Sequence, residues 1–317
     1  MVCDRSSRRR SCNPSLNKKL ALSAALLIGV SGTAVAQPRP CPPAGWTVSQ
    51  LDALKAGKFA IAEAPRRQAL ALALTACLGN PDPAIRDSIA FEGLSAFMRA
   101  NALDRDTLTA IKSELLATIA APDLSGLQRP FAALALSEVA RTDRVSAWMS
   151  DVERDALVTA ASQFLSNITD YRALSNTDGF RHGVAHGADF AMQLALNPSV
   201  AKPQLDRLLA AIATQVAPKD PQVAYWAGEP DRLARAVLVI AQRKVHSDDE
   251  WKAWFTTLMN PAPLRSWDVA FSTESGIRKH HNVRTFLLSV FATASTGEDS
   301  GLKQLIGPVR DSLKLVP

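Results

Sequence analysis

Residues 179–190 read GFRHGVAHGADF and place two of the chain's five histidines and an aspartate at the spacing His182-x-x-x-His186-x-x-Asp189. At about 100° of rotation per residue on a helix, Asp178, His182, His186 and Asp189 fall at about 0°, 40°, 80° and 20°, so four ionisable groups share one narrow stripe. Two imidazoles four positions apart on one face are the pair that holds zinc in the zincin metalloproteases. Asp189 would serve as a third ligand, or would orient an imidazole through its second ring nitrogen. A zincin carries its glutamate base directly after the first histidine; here that position is Gly183, which excludes zincin proteolysis. A divalent metal such as zinc is one expectation, and a small-molecule pocket, catalytic or not, is another. The third is a buried His–Asp network that locks two helices together, since polar pairs at helical spacing are common. Gly183 and Gly187 each cost a helix about 1 kcal/mol against alanine, and they allow a backbone or a ligand to come close.

An unpaired buried polar group costs about 1–3 kcal/mol, so the stripe requires partners. The segment Glu229-Pro230-Asp231-Arg232-Leu233-Ala234-Arg235 reads as a helix start with acids in its first turn. In one reading those acids only complement the helix dipole and form a surface ion pair. In the other, Glu229 or Asp231 faces the histidine helix as a ligand or general base, and Arg232 holds an anionic group. Arg129 is the expected counter to excess negative charge. His281, in Arg278-Lys279-His280-His281, is either a further imidazole or part of a solvated basic turn. The chain lacks a Gly-rich phosphate loop, Gly-x-Ser-x-Gly, Cys-x-x-Cys and a dinucleotide fingerprint. With six tryptophans and two tyrosines it offers little stacking surface for sugars, which disfavours a glycosidase. Whether the chain is an enzyme stays open, with a hydrolase the reaction class that the His/Asp set suggests.

The elements that must position these groups are helices. Apolar residues recur at three and four, and strand-like alternation is almost missing. The pattern predicts helices over Arg66–Leu78, from Pro83 to Ala100, and over Asp104–Ile119, Leu127–Arg141, Ser150–Leu165, Asp178–Leu196, Lys202–Val216, Asp231–Arg243, Ser247–Leu258 and Asn282–Ala294, with a last one after Gly301. Ser150-x-x-Glu153 and Ser247-x-x-Glu250 are capping boxes. The stretch NPDPAIRDSIAFEGL resembles a HEAT-type repeat, in which a Pro-Asp turn leads into a helix carrying an arginine. The expected fold class is all-α, built of stacked antiparallel helix pairs as a degenerate HEAT-like α-solenoid; a closed α/α toroid is the alternative.

The first residues read as a cleaved leader. Basic residues are followed by the apolar run LALSAALLIGV and by Ala34-Val35-Ala36, a signal-peptidase pattern. The expected division is therefore a signal peptide over 1–36, an N-terminal arm over 37–45 and a single helical domain over 46–317. Residues 1–36 hold six of the 36 basic and one of the 30 acidic residues, so the net charge falls from +6 to 30 against 29, or +1. That removes the case for a nucleic-acid partner, and no further stretch long enough to span a membrane follows. The expected location is periplasmic or secreted, and the expected partner is a small molecule or a protein. Cys41 and Cys77 remain as an even pair in an oxidising compartment; a disulfide between them would contribute about 3 kcal/mol.

The run from Gly179 to Asp189 resembles the central motif of the bacterial family known as domain of unknown function 2785, typically Gly-Trp-Ala-His, two small or variable residues, then Ala-His-Gly-Ala-Asp. Three further segments resemble its other elements in order: the one opening at Arg129-Pro130-Phe131, Glu229-Pro230-Asp231-Arg232-Leu233-Ala234, and the one opening at Asn282-Val283-Arg284. Phe180, Arg181 and Pro130 depart from the family pattern and leave the His/Asp set intact. The resemblance implies an all-helical, repeat-like fold and no activity.

Overall fold

The computed structural model describes residues 39–316; the predicted leader lies outside the described residues. The chain opens with α1 (Val48–Ala56), then α2 (Ala64–Leu74), which tightens into a 3-10 turn over Thr75–Gly79. A π-helical stretch, Ala84–Phe91, runs straight into α3 (Glu92–Arg99), followed by α4 (Arg105–Ala120), α5 (Gln128–Val145) and α6 (Asp151–Ser166). A two-residue hairpin, β1 (Leu174–Ser175) with β2 (Gly179–Phe180), precedes α7 (Gly183–Ala195). Then come α8 (Lys202–Val216), α9 (Glu229–Gln242) and α10 (Asp248–Leu258), a 3-10 segment Trp267–Ser272, α11 (Glu274–Thr296) and α12 (Ser300–Leu315). The fold is all-α, as the spacing of apolar residues predicts. Among the described residues no helix is long and apolar enough to cross a membrane.

Helix starts follow local chemistry. In both predicted capping boxes the hydroxyl accepts from the backbone N–H three residues on, at 3.3 Å for Ser150 and 3.2 Å for Ser247. The glutamates return the bond at 2.8 Å. A third box, Thr47 with Gln50, starts α1, which the apolar pattern does not predict.

The helices pack in two rows. In one, α3, α5, α7, α9 and α11 lie side by side; in the other, α2, α4, α6, α8 and α10; α12 covers α9, α10 and α11. Within each row alternate helices of the chain are thus neighbours. Both ends of α5, α7 and α9 show that these three run parallel. At their starts Gly183 approaches Pro130 and His182 meets Glu229. At their ends Arg144 Nη2 donates to Gln193 Oε1 at 3.4 Å, and Arg243 Nη1 donates to the Ala195 carbonyl at 2.7 Å. The same far end is tied by Asp143, buried, whose carboxylate accepts from Arg154 Nε at 2.7 Å and Asn197 Nδ2 at 2.8 Å.

Helix α7 is the most enclosed member of its row, with α5, α6 and α9 around it. Its small residues allow this. A Cβ built on Gly187 would lie 2.7 Å from Leu165 Cδ2 on α6, so this glycine is spent on helix packing rather than on a ligand. Cys41 and Cys77 are joined in a disulfide with 5.2 Å between their Cα atoms, tying the N-terminal arm to the turn after α2.

Candidate functional site

The predicted stripe is only partly a helix face. Asp178 sits in the turn of the β1–β2 hairpin, where its N–H donates to Ser175 Oγ at 2.9 Å and its carboxylate accepts from Arg181 Nη2 at 2.9 Å. The predicted helix start at Asp178 is therefore corrected to Gly183. The physical reason is that positive φ at Gly179 (68°) and His182 (55°) turns the chain through the hairpin before the helix can begin. His182 is the N-cap of α7, in the left-handed region that histidine tolerates better than most residues. His186 and Asp189 follow on α7, both buried.

The imidazole of His182 points across the row. Its Nε2 lies 3.0 Å from the carbonyl oxygen of Ala227 and 3.8 Å from Glu229 Oε1. A carbonyl only accepts, so Nε2 carries the proton and the ring's lone pair is on Nδ1. Phe180 stacks on the outer face of the ring, centroids 4.7 Å apart and planes 21° from parallel. Burial lowers the His182 pKa, with the Glu229 carboxylate working against it.

His186 lies deeper. Its ring meets that of His182 edge-on at 5.8 Å and that of Phe131 at 4.9 Å. Its Nδ1 is buried with no hydrogen-bond partner among the described residues. Burial, with His182 and Arg232 adding repulsion, lowers its pKa to about 3 against the opposing pull of the Pro130 backbone, so the ring is neutral. Asp189 pairs with Arg232 Nη1 from α9. Burial raises the Asp189 pKa and the guanidinium opposes the rise.

Glu229, the first residue of α9, is buried, and its Oε2 accepts from the Ala227 N–H at 2.9 Å. Ala227 is thus held on both sides, its carbonyl by α7 and its N–H by α9. Gly228 between them has φ 89°, a conformation that favours glycine. The structure therefore brings His182, His186 and Asp189 together with Glu229 and Arg232.

The other predicted members stand apart. Asp231 is exposed. Arg129 turns away from the imidazoles, donating from Nε to the Ile119 carbonyl at 2.9 Å. His281 lies two turns inside α11 rather than in a basic turn, with Nε2 2.8 Å from the Tyr225 carbonyl. It steadies the same 223–229 segment without joining the cluster.

One neighbour escapes stripe reasoning. Arg86, fully buried at the start of the π-helical stretch, lays its guanidinium over the Phe131 ring at 4.7 Å and donates from Nη2 to the Asp178 carbonyl at 2.7 Å. It supports from behind the aromatic ring on which His186 rests. Its sequence signal is the arginine after the Pro-Asp turn.

The zinc expectation meets a geometric obstacle. No group of three or more His, Cys, Asp or Glu side chains among the described residues could hold a metal ion. Asp189 is engaged by Arg232, and His182 Nε2 by a carbonyl. What the arrangement does do is couple α7 to the start of α9 at three points.

A family model described as Protein of unknown function (DUF2785) matches residues 115–291, more than half of the chain. The chain belongs to this family. The DUF2785 match spans α5 to α10 whole, the last turns of α4 and most of α11, and so includes every residue of the His/Asp cluster. Cys41, Cys77 and Arg86 fall outside it. No curated protein and no solved structure matches the chain.

Proposed function

We propose that this protein is an exported helical scaffold that binds another protein without catalysing a reaction, and that its His/Asp cluster keeps the binding face in shape. The observation that carries this reading is the backbone of Ala227, gripped by His182 through its carbonyl at 3.0 Å and by Glu229 through its N–H at 2.9 Å. Together with the Asp189–Arg232 pair, these contacts spend inside the fold the Nε2 proton of His182 and the carboxylates of Glu229 and Asp189, groups that a catalytic set keeps for its substrate.

The rim beside this grip supplies the binding surface. Trp226, next to Ala227, is 67% exposed, and Leu174 and Phe180 are 41% and 40% exposed. Leu174 and Phe180 pair across the hairpin and so share one of its faces. Exposed tryptophan and its aromatic neighbours are the side chains that anchor protein interfaces. Export is supported by the leader pattern in the sequence and by the Cys41–Cys77 bridge, which suits an oxidising compartment such as the periplasm.

Site-specific photo-cross-linking from position 226 in intact cells tests the reading. Trapping of one protein, lost when Phe180 is replaced by serine, is the expected result. A stoichiometric metal in natively purified protein that disappears with His186→Ala would overturn it.

One observation favours a second reading, a small-ligand pocket between α7 and the 224–229 segment: the unpartnered, buried Nδ1 of His186. A ligand donor reaching that nitrogen would satisfy it. Under this reading His186→Phe abolishes ligand binding; under the scaffold reading it leaves partner binding unchanged.

A further inference from the structure

A cavity of about 390 Å³ lies between the loop after α8, the Ala262-Pro263-Leu264 turn and the first turns of α11, away from the His/Asp cluster. We propose that it binds a small organic monocarboxylate, with the carboxylate on the Lys279 ammonium and the apolar body against Pro218, Pro221, Val223 and Leu264.

The argument begins with Lys279. Its Nζ donates to the Asn260 carbonyl at 2.9 Å and to the Ala262 carbonyl, and it lies 5.4 Å from the centre of the Trp267 ring. An ammonium has three N–H donors, so two carbonyls leave one unspent. Carbonyl and indole dipoles fix its position but do not cancel its charge, and among the described residues no carboxylate pairs with it. The group is half-buried, and burial lowers its pKa. A positive charge drawn out of water without a counter-ion is stabilised by a ligand that brings one.

The rest of the lining decides the class of anion. The charged lining residues are Lys219, Lys279 and Asp220, a balance of +1, which suits a monoanion better than a phosphate or a dicarboxylate. Three prolines, Val223 and Leu264 form the walls, so the ligand's body is apolar. The volume is at the small end of ligand cavities, which run from about 300 to 1,000 Å³. The floor is rigid. Asn282, buried on α11, accepts from the Tyr225 N–H at 2.8 Å and donates to the Val223 carbonyl at 3.0 Å. This site is independent of the proposed scaffold role.

Titration calorimetry of the purified protein near neutral pH, with benzoate, cyclohexanecarboxylate and hexanoate against their neutral amides, provides the test. At least one acid is expected to bind saturably, and its amide about tenfold or more weaker, the loss of one charge-assisted hydrogen bond. Lys279→Met should erase the acid–amide difference, whereas Lys279→Arg keeps it. Leu264→Trp, which fills the cavity while leaving the charge, should abolish binding of both. Absence of saturable binding by all three acids would overturn the proposal. So would equal binding of acid and amide to the unaltered protein, a measurement that needs no variant to fold.

Discussion

The imidazole of His182 reaches from the left-handed cap of α7 to the carbonyl oxygen of Ala227, 3.0 Å away, so one residue starts α7 with its backbone and holds the approach to α9 with its ring. Replacing it by alanine removes that bond, strands the Ala227 carbonyl, and puts alanine in a backbone region that histidine tolerates better. His182→Ala should therefore lose about 2–3 kcal/mol in urea unfolding. His182→Asn, which tolerates the same backbone, should recover part of it. Equal losses for the two variants would show that the backbone conformation contributes nothing.

Asp189 and Arg232 differ in exposure, the carboxylate side chain at 12% and the guanidinium at 38%. Removing the exposed partner should hurt more. Arg232→Met strands a buried carboxylate and is expected to cost about 2–3 kcal/mol, against about 1 kcal/mol for Asp189→Asn. The double variant should lose less than the sum, because both changes break one contact. Strict additivity in the denaturation midpoints would refute the pairing.

His186 offers a packing test. Its Nδ1 is buried without a partner and its ring already sits edge-on to Phe131. Exchanging it for a ring without nitrogens removes the unsatisfied atom and gives up only the contact with the Pro130 backbone, so His186→Phe is expected to keep the thermal midpoint or nearly so. His186→Ala leaves a void and should cost about 2–4 kcal/mol. A large loss for the phenylalanine variant would show that the nitrogen has a partner in solution.

Stability should depend on pH through the same two rings. Burial holds the folded pKa of His182 below its ordinary 6.5, and that of His186 at about 3. The unfolded chain therefore binds protons first as pH falls below about 6.5, and each proton it takes up favours unfolding. The histidine contribution is complete above pH 6.5 and is lost as pH drops towards 3. Glu153 and Glu250, both lowered from 4.5 to about 2, add their losses only below about 4.5. Between pH 6.5 and 4.5 the decline should thus shrink in the variant His186→Phe. An unchanged slope there would assign it to other groups.

The Cys41–Cys77 bridge spans 36 residues of sequence. On a chain-entropy estimate its loss should cost about 3–4 kcal/mol. Reduction under native conditions, or the Cys41→Ser, Cys77→Ser pair, should lower the urea midpoint without changing the helical circular dichroism of the folded state. An unchanged midpoint would mean that the arm adds no constraint to the unfolded chain.

Much of the fold is legible in the sequence, because apolar spacing and caps act locally. Lys202–Val216 is read to the residue, and the serine caps at 150 and 247 fall where the boxes predict. The start of α7 is not legible. Helical periodicity carries back to Asp178, while the positive φ of Gly179 and His182 is set by contacts to Ala227, Ser125 and Arg86, remote in sequence. The start of α11 is misread for another reason. Arg278-Lys279-His280-His281 looks like a solvated turn, yet Thr273 caps a helix eight residues before Asn282 by accepting from the Gly276 N–H at 3.1 Å. For the site, the need for partners points to α9 and finds Glu229 and Arg232. It misplaces Arg129, because a carbonyl at the end of α4 claims that guanidinium first.

The two-row packing also governs how disturbance spreads. Each helix touches mainly its neighbours, so the helices up to α7 and those from α8 on communicate chiefly through two joints, α7 with α9 and α6 with α8. A protein joined this way unfolds as one body only while both joints hold. If the grip on Ala227 is loosened, the single transition should separate into two, with the N-terminal and C-terminal helix stacks melting as distinct cooperative blocks.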